Sequence, residues 1–192
     1  MAMIALTLFD TAIGHCAMVW GSAGILALQL PEANTAQTLA RVQRRFPHAR
    51  EKRPPPEIKT AVDDVVALTH GNRRDLSANT LDMDGVPEFD RRVYQVTRTI
   101  AFGETLTYGE VASRLGTQGQ ARAVGQALGR NPFTIIVPCH RVTAAGGRAG
   151  GFSANGGAAT KLRLLNIEGA MLHRTPTLFD GDPAFGLSLK NN

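Results

Sequence analysis

The hydrophobic pattern of this chain changes its period after the first thirty or so residues, and that change restricts the folds it can adopt. Three short apolar segments come first, at Ile4–Phe9, Cys16–Trp20 and Ile25–Leu30, and glycine-bearing turns separate them. Strand-length segments with tight turns between them are typical of neighbouring antiparallel strands. The pattern therefore predicts an antiparallel meander at the start of the chain.

Beyond the meander, apolar residues recur every three or four positions, which is the period of a helix. Asn34 can cap a first helix that Pro47 ends, and Arg50–Pro56 is expected to be an exposed loop. A second amphipathic helix ends at Gly71. Its inward face is predicted to hold Ile58, Ala61, Val62, Val65 and Leu68. Residues 1–85 therefore predict a small α/β domain.

The second half of the chain is mainly helical in pattern. Pro87–Ile100 has the apolar spacing of one helix, and Thr107–Glu110 has the sequence of a capping box that starts a short second one. Ala121–Leu128 resumes the helical pattern after a turn with two glycines, so this pair of helices indicates a helix-turn-helix. We therefore expect a mainly α second domain over residues 86–192.

Two further elements are predicted near the end of this domain. The apolar, β-branched segment Phe133–Val137 has the composition of a strand. A glycine-rich loop, Gly146–Gly157, leads to a last helix that ends at Gly169. Leu162 and Leu165 are expected to face inward on that helix.

Cys139 is the strongest candidate for a nucleophile, because it follows the predicted strand and a proline, next to His140 and Arg141. A free thiol has a pKa of about 8.5, so making thiolate the major form takes about 2.7 kcal/mol of preferential stabilisation. Side chains of a strand alternate in direction, so Cys139 and His140 would need a water between them to exchange a proton. A carboxylate would have to orient His140, and the sequence does not select one. The alternative is a buried structural cysteine.

The net charge of +5 lies entirely in the second half of the chain. Residues 86–192 hold 12 Lys/Arg and 7 Asp/Glu, whereas residues 1–85 hold 9 of each. A positive half of this kind suits phosphate binding, although a solvated surface could carry the same charge.

Composition also restricts the setting of the protein. No apolar run approaches the roughly 18 residues that a membrane helix needs, and Met1–Phe9 lacks the pattern of a signal peptide. Two cysteines are too few for a disulfide framework, so we expect a cytoplasmic protein. Cys16 beside His15 lies in a predicted core strand, which favours packing over zinc binding, and no metal site is expected.

The segment Ile135–Val142 resembles the active-site signature of the O6-alkylguanine-DNA alkyltransferases. Other segments match the family's motifs in the same order and at similar spacing: Phe102–Thr105, Thr107–Gly109, Ala121–Gly125, Gly129–Pro132 and Ile167–Gly169. The detailed match covers about Gly85 to Ala170. The N-terminal half resembles the family loosely, through Thr7–Thr11 and Leu26–Pro31.

This resemblance implies a reaction and a role for each matching residue. Cys139 would displace guanine from the alkyl carbon in one in-line step, and the protein would be consumed. His140 would be the base through a water, and Glu168 would orient His140. Tyr108 would hydrogen-bond the damaged base and share its proton, and Asn131 would be a hinge after the recognition helix.

The resemblance also implies a DNA surface and a substrate pocket. Arg122, which the helical phase predicts to be exposed, would occupy the gap left by an extruded nucleotide. Further DNA contacts would come from Ala121, Tyr108, Arg130 and Ser153. The pocket would be formed by Val137, Gly150, Phe152 and Ser153. Phe152 replaces the family's usual tyrosine and Ala154-Asn155 are inserted, so a different preference among alkyl groups is expected.

The implied architecture is a ribonuclease-H-like α/β domain followed by a mainly α winged helix-turn-helix domain. The implied partner is double-stranded DNA that carries alkylated bases, with alkylated thymine open as a second substrate. The protein would act as a monomer without a cofactor, because it is its own alkyl acceptor. If the source is bacterial, the protein is expected near the nucleoid.

Two other classes of protein compete with this interpretation. A DNA-binding regulator would explain the helix-turn-helix and the charge but gives Cys139 and Glu168 no role. A cysteine hydrolase would explain Cys139 and His140 but not the arginine-bearing helix. Incubation with alkylated DNA separates the three classes by mass gain on cysteine, no reaction, or turnover.

Overall fold

The computed structural model describes residues 3–170. Its N-terminal region contains the predicted antiparallel meander of β1 (Ala5–Thr11), β2 (Gly14–Gly21) and β3 (Gly24–Gln29). A two-residue strand, β4 (Arg50–Glu51), pairs with β1 in parallel, which gives the sheet order β3-β2-β1-β4. The predicted loop, Arg50–Pro56, was therefore wrong for its first two residues. A strand of two residues is too short to show the alternating pattern by which a strand is predicted.

Two helices follow the meander as predicted. Helix α1 (Thr35–Arg45) begins at Asn34, whose side chain accepts the backbone N–H of Gln37 at 2.9 Å. Helix α2 (Pro56–Thr69) buries all five of its predicted inward residues. One face of the sheet packs against α1 through Val42, and the opposite face packs against α2. The alternation of apolar side chains along each strand places one row on each helix.

The second half of the described chain is mainly helical, as predicted. Its elements are α3 (Glu88–Arg98), β5 (Leu106–Thr107), α4 (Tyr108–Arg114), α5 (Ala121–Gly129), β6 (Val142–Thr143) and α6 (Gly157–Ile167). Both bonds of the capping box between Thr107 and Glu110 are present. Helix α5 packs against α3 and α4, and β5 pairs with β6 in parallel. Residues 171–192 of the predicted second domain lie outside the described part of the chain.

The predicted strand at Phe133–Val137 is not formed. The backbone turns instead, with Ile135 at a φ of 72° and the Val137 N–H donating to the Phe133 carbonyl at 2.7 Å. Cys139–Arg141 then forms one turn of 3-10 helix, so the expected alternation of Cys139 and His140 along an extended chain was also wrong. Composition favoured a strand here, but the side-chain bonds of Asn131 hold a turn.

The prediction for the last helix is confirmed for Leu165 and was wrong for Leu162. Leu162 is 44% exposed, whereas Lys161, Leu164 and Leu165 face the core. Lys161 takes the inward position although a lysine is seldom buried without partners.

The larger of two hydrophobic clusters in the described residues joins the two halves of the molecule. It contains Ala5 and Met18 from the sheet together with Tyr94, Phe133 and Val137 from the second half. The backbone is joined as well, since the N–H of Leu28 in β3 donates to the carbonyl of Pro132 at 2.9 Å. The N-terminal sheet is therefore bonded to the turn that leads to Cys139. Within residues 3–170, no helix has both the length and the apolar character that crossing a membrane would need.

Candidate active site

A compact turn presents Cys139. Asn131 holds this turn at two points, because its Nδ2 donates to the Val137 carbonyl at 3.0 Å and its Oδ1 accepts the Phe133 N–H at 2.9 Å. The backbone N–H of Cys139 donates to the Val137 carbonyl at 2.7 Å. Cys139 is 6% exposed and Asn131 is 8% exposed, so both residues are almost closed to solvent.

A buried ionic network lies behind the turn. His140 Nε2 lies 2.8 Å from Glu168 Oε1. Arg141 donates from Nε and Nη2 to the two carboxylate oxygens of Glu168, at 2.9 Å each, and from Nη1 to the Ile100 carbonyl. The Gly103 N–H adds a longer bond to Glu168 at 3.3 Å. The structure thus brings His140 to the carboxylate that the resemblance implied, and it adds Arg141, whose role was missed.

The charges within this network follow from its geometry. Burial raises the pKa of Glu168, but hydrogen bonds and charge interactions with His140 and Arg141 outweigh burial and lower the pKa to about 2. Burial also lowers the pKa of His140, and this outweighs the opposite effect of Glu168. Glu168 is therefore ionised and His140 neutral near pH 7. Because a carboxylate only accepts, we assign the imidazole proton to Nε2.

The other ring nitrogen of His140 is free to act as a base. Nδ1 is buried and has no hydrogen-bond partner among the described residues. With the proton on Nε2, the lone pair on Nδ1 can accept a proton from a nearby donor.

The thiol of Cys139 is protonated in the free protein. Burial raises its pKa, and this outweighs the Asn131 side chain, the charge of Lys161 and the backbone N–H groups of Cys139 and His140, which all lower it. The pKa of the thiol is thus not depressed in advance by cationic neighbours. A base would have to take this proton before the sulfur could act as a thiolate nucleophile.

Lys161 is a second residue of this site whose role the sequence reasoning missed. It is fully buried, and its Nζ donates to the Val142 carbonyl at 2.5 Å and to the Gly151 carbonyl at 3.3 Å. Nζ also lies 3.5 Å from the Tyr108 hydroxyl. Burial lowers the pKa of Lys161 to about 8. Lys161 lies three and four positions before Leu164 and Leu165, so the helical period places it on the same inward face. That spacing is the sequence feature that could have identified Lys161 as buried.

A cleft of about 510 Å³ opens above Cys139. The predicted residues that line it are Tyr108, Ala121, Arg122, Phe152 and Ser153. The predicted pocket residues Val137 and Gly150 do not line this cleft. Gly150 nevertheless contacts one wall, because a Cβ at this position would lie 3.0 Å from the Tyr108 ring. His140 and Glu168 lie behind the thiol, outside the cleft.

Tyr108 forms part of the wall of this cleft and keeps its proton. Its hydroxyl donates to the Gly151 carbonyl at 3.3 Å. Burial raises the pKa of Tyr108, and the negative charge of Cys139 in its thiolate form raises it further. The phenol can therefore donate a hydrogen bond or a proton into the cleft.

The two arginines expected to contact DNA have different surroundings. Arg122 is exposed at the start of α5, as the helical phase predicts. Arg130 forms a two-pronged ion pair with Asp90, with both N–O distances 2.9 Å. Asp90 is 2% exposed, so this pair fixes the guanidinium of Arg130 at the end of α5. The sequence alone did not indicate Asp90.

Comparisons with known proteins agree with this geometry. The family profile described as "6-O-methylguanine DNA methyltransferase, DNA binding domain" matches residues 88–170. A methylated-DNA–protein-cysteine methyltransferase of Methanothermobacter thermautotrophicus is 39% identical over 155 residues, which is 81% of this chain and 80% of that protein.

Solved structures resemble the chain along most of its length. The crystal structure of Mycobacterium tuberculosis OGT in complex with DNA is 34% identical, has a TM-score of 0.70, and matches 86% of this chain and 92% of that one. O6-methylguanine-DNA methyltransferase from the hyperthermophilic archaeon Pyrococcus kodakaraensis is 26% identical with a TM-score of 0.66, and the match covers 88% of this chain and 100% of that one.

Proposed function

The chain belongs to the methylated-DNA–protein-cysteine methyltransferase family, and from that premise we propose that it moves an alkyl group from O6-alkylguanine in double-stranded DNA to the sulfur of its own Cys139. The observation that carries this proposal is the position of Cys139 at the base of a cleft, with Arg122 and Tyr108 on its walls and the His140–Glu168 pair behind it. DNA repair of this kind is a single-turnover reaction.

The proposed reaction balances bonds and protons. The sulfur of Cys139 forms a bond to the alkyl carbon while the bond from that carbon to guanine O6 breaks. The thiol proton passes through a water to Nδ1 of His140, which Glu168 orients. Guanine leaves as an anion that accepts a proton from Tyr108, and the tyrosinate regains it from the imidazolium or from solvent. No cofactor is needed, since the nucleophile is also the acceptor.

Lys161 is proposed to assist this step electrostatically. Its ammonium lies beside the Tyr108 hydroxyl and would attract the thiolate form of Cys139. Negative charge develops on the sulfur and then on the leaving base, and a fixed cation in a dry site stabilises such charge strongly. Lys161 also holds the Gly151 carbonyl, so it ties the loop that carries Phe152 to the floor of the cleft.

We propose that α4 and α5 act as a helix-turn-helix, with α5 as the recognition helix. Arg122 would fill the gap left by the extruded nucleotide, which costs a few kcal/mol to flip. Further DNA contacts are proposed for Ala121, Tyr108, Arg130 and Ser153, and pocket contacts for Val137, Gly150, Phe152 and Ser153. Asn131 is proposed to be the hinge that fixes the turn behind α5.

The finer description of the fold also belongs to this proposal. We propose a ribonuclease-H-like domain over residues 1–85 and a winged helix-turn-helix domain over residues 86–192, supported by the antiparallel meander and by the α4–α5 pair. We further propose that the protein acts as a monomer in the cytoplasm, near the nucleoid if it is bacterial. Its partner is double-stranded DNA with alkylated bases.

Mass spectrometry after incubation with an O6-methylguanine duplex tests this function. We expect intact protein to gain one methyl group, and peptide mapping to assign it to Cys139 and not to Cys16. Cys139→Ser should bind the same duplex without gaining mass. A DNA-binding regulator would show binding with no mass gain, and a cysteine hydrolase would turn over without a stable adduct.

A further inference from the structure

A second cleft, of about 460 Å³, lies between the N-terminal helix α1 and the end of α5. Four arginines line it. Arg41, Arg44 and Arg45 come from α1, and Arg130 directly follows α5. We refer to this cleft as the arginine cleft. None of the three α1 arginines belongs to the positive half of the sequence, so the charge count gave no reason to expect them here.

The arginine cleft adjoins the cleft above Cys139. Gly129 and Ser153 line both of them, so the two openings share a rim at the end of α5 and in the loop before α6. A duplex bound over the cleft above Cys139 would lie next to this shared rim. The arginine cleft is therefore positioned to contact the backbone on one side of a lesion.

Two of the four arginines carry charge that the described part of the chain does not neutralise. Arg41 pairs with Glu32 at 3.1 Å, and Arg130 pairs with Asp90. Across residues 3–170, no carboxylate forms an ion pair with Arg44 or Arg45. The side chains of both are exposed, and α1 contains no acidic residue.

The helix dipole does not by itself account for this arrangement. Cations in the last turn of a helix are stabilised by its dipole by about 0.3–1 kcal/mol, and Arg44 and Arg45 do lie in the last turn of α1. The dipole does not explain why these arginines line a cleft, or why Arg130, which follows another helix, lines it as well. Several cations that line one groove suit contacts to a phosphate backbone.

We propose that Arg44 and Arg45 bind backbone phosphates of the duplex that flanks the lesion, with Arg130 completing the contact. The N-terminal region is then part of the DNA-binding surface and not only a support for the second half. This inference rests on the proposed function, because it requires that DNA occupy the cleft above Cys139. The contacts would position the duplex without reading its sequence.

The salt dependence of binding to an undamaged duplex tests this inference. The variant is Arg44→Gln/Arg45→Gln. Its matched control is Arg50→Gln/Arg53→Gln, which removes the same charge at or next to β4, on the sheet edge opposite β3, whereas the arginine cleft is lined by β3 residues. Thermal unfolding of both variants checks that each retains the fold.

Each phosphate contact contributes about 0.9 to the slope of log affinity against log salt. We expect Arg44→Gln/Arg45→Gln to reduce the slope by about 1.8, so the wild-type protein loses about tenfold more affinity than the variant between 50 and 200 mM salt. The control should keep the wild-type slope. Equal slopes for all three proteins, or an equal reduction in both variants, would overturn the inference.

Two further measurements separate this inference from the proposed function. If Arg44→Gln/Arg45→Gln binds DNA normally but changes the sedimentation of the protein, the arginine cleft binds a second copy and the inference fails. If the wild-type protein transfers no alkyl group to Cys139, the proposed function is wrong, and the inference loses the premise on which it rests. Normal transfer with an unchanged salt slope overturns only the phosphate contact.

Discussion

The two cysteines of the chain are both buried, but their surroundings differ in chemistry. Cys16 is fully buried in β2, where the Thr11 hydroxyl 3.7 Å from its sulfur is the polar group it contacts, and burial raises its pKa to about 12. Cys139 lies beside the Asn131 amide and near the ammonium of Lys161, which both favour the thiolate. Cys139 also opens onto a cleft. These differences support the proposal that Cys139 is the nucleophile, whereas Cys16 is a core residue.

Replacing the proposed base tests how the thiol is activated. His140→Gln can keep a bond to Glu168, and with it the pair between Glu168 and Arg141, while it removes the imidazole. We expect alkyl transfer to slow by about 100-fold or more at pH 7. The rate of the variant should rise as pH increases, since only spontaneous thiol ionisation then supplies the nucleophile. His48→Gln, at an exposed position, is the control, and an unchanged pH-rate profile for His140→Gln would exclude this role.

Arg122 can be tested by comparing two substrates. If its side chain fills the gap left by an extruded nucleotide, Arg122→Ala should lose most activity on alkylated duplex. The same variant should react almost normally with a free alkylated guanine, which needs no extrusion. Arg114→Ala removes another exposed arginine that does not line the cleft, and it should spare the duplex reaction. Equal losses of Arg122→Ala on both substrates would mean that Arg122 supports the fold instead.

At the scale of elements, the turn from Asn131 to Arg141 is the feature that makes a site possible. It joins α5 to β6, and it is bonded to β3 through the carbonyl of Pro132. A β-branched residue, Ile135, has a positive φ within it, which is rare and is retained only where the surroundings demand it. The two hydrogen bonds of the Asn131 side chain help to hold the backbone in this conformation.

Removing the Asn131 amide should therefore loosen the turn. Asn131→Ala leaves the buried N–H of Phe133 without its partner and removes one of the two donors to the buried carbonyl of Val137, which keeps its bond from the Cys139 N–H. We expect the free energy of unfolding to fall by about 2–4 kcal/mol in a urea titration. Alkyl transfer should also slow, because the amide lowers the pKa of the thiol. Asn155→Ala, in an exposed loop, should change stability by less than about 0.5 kcal/mol, and an equally small effect of Asn131→Ala would contradict this account.

The elements that could be predicted are those whose pattern is local. The meander, α2 and α3 show their period within one segment, and the capping box of α4 lies within four residues. The turn at Phe133–Val137 could not be predicted, because bonds from Asn131 and Leu28 outweigh its strand-like composition. Strand β4 was also missed, because β1, the strand with which it pairs, is distant in sequence.

The site was predicted through resemblance more than through residue chemistry. Spacing alone did not select Glu168 from the 16 carboxylates, and the structure brings it within 2.8 Å of His140. Lys161 and Asp90 were missed because their partners lie 19 and 40 positions away. Such contacts depend on how helices pack, which a single sequence does not reveal.

For the whole molecule, the buried network of Glu168 links the end of α6 to the end of α3. Arg141 bridges Glu168 and the carbonyl of Ile100, and the Gly103 N–H joins the same carboxylate. Together with the core shared by both halves, this network makes the second half dependent on several distant segments. Protonation of Glu168 at low pH should weaken all of its bonds in this network together.

The pH dependence of stability tests that connection. The folded-state pKa of Glu168, about 2, lies below its ordinary value of 4.5, so the group stabilises the fold above about pH 4.5. That contribution is lost as pH falls toward 2, where the folded state must also bind the proton. The difference in free energy of unfolding between wild type and Glu168→Gln should therefore be largest near pH 6 and shrink toward pH 3. Glu104→Gln, at an exposed carboxylate, is the control, and a pH-independent difference would contradict the network.

The central claim is that each molecule accepts one alkyl group on Cys139 and is then spent. A thioether has no ready route to release its alkyl group, so the protein cannot be regenerated by the reaction itself. The direct test is to incubate a known amount of active protein with a large excess of O6-methylguanine duplex and count repaired guanine over time. We predict a rise that stops at one repaired guanine per protein molecule, with an equal amount of methylated Cys139. Repaired guanine in excess of protein, or repair without methylation of Cys139, would contradict the account.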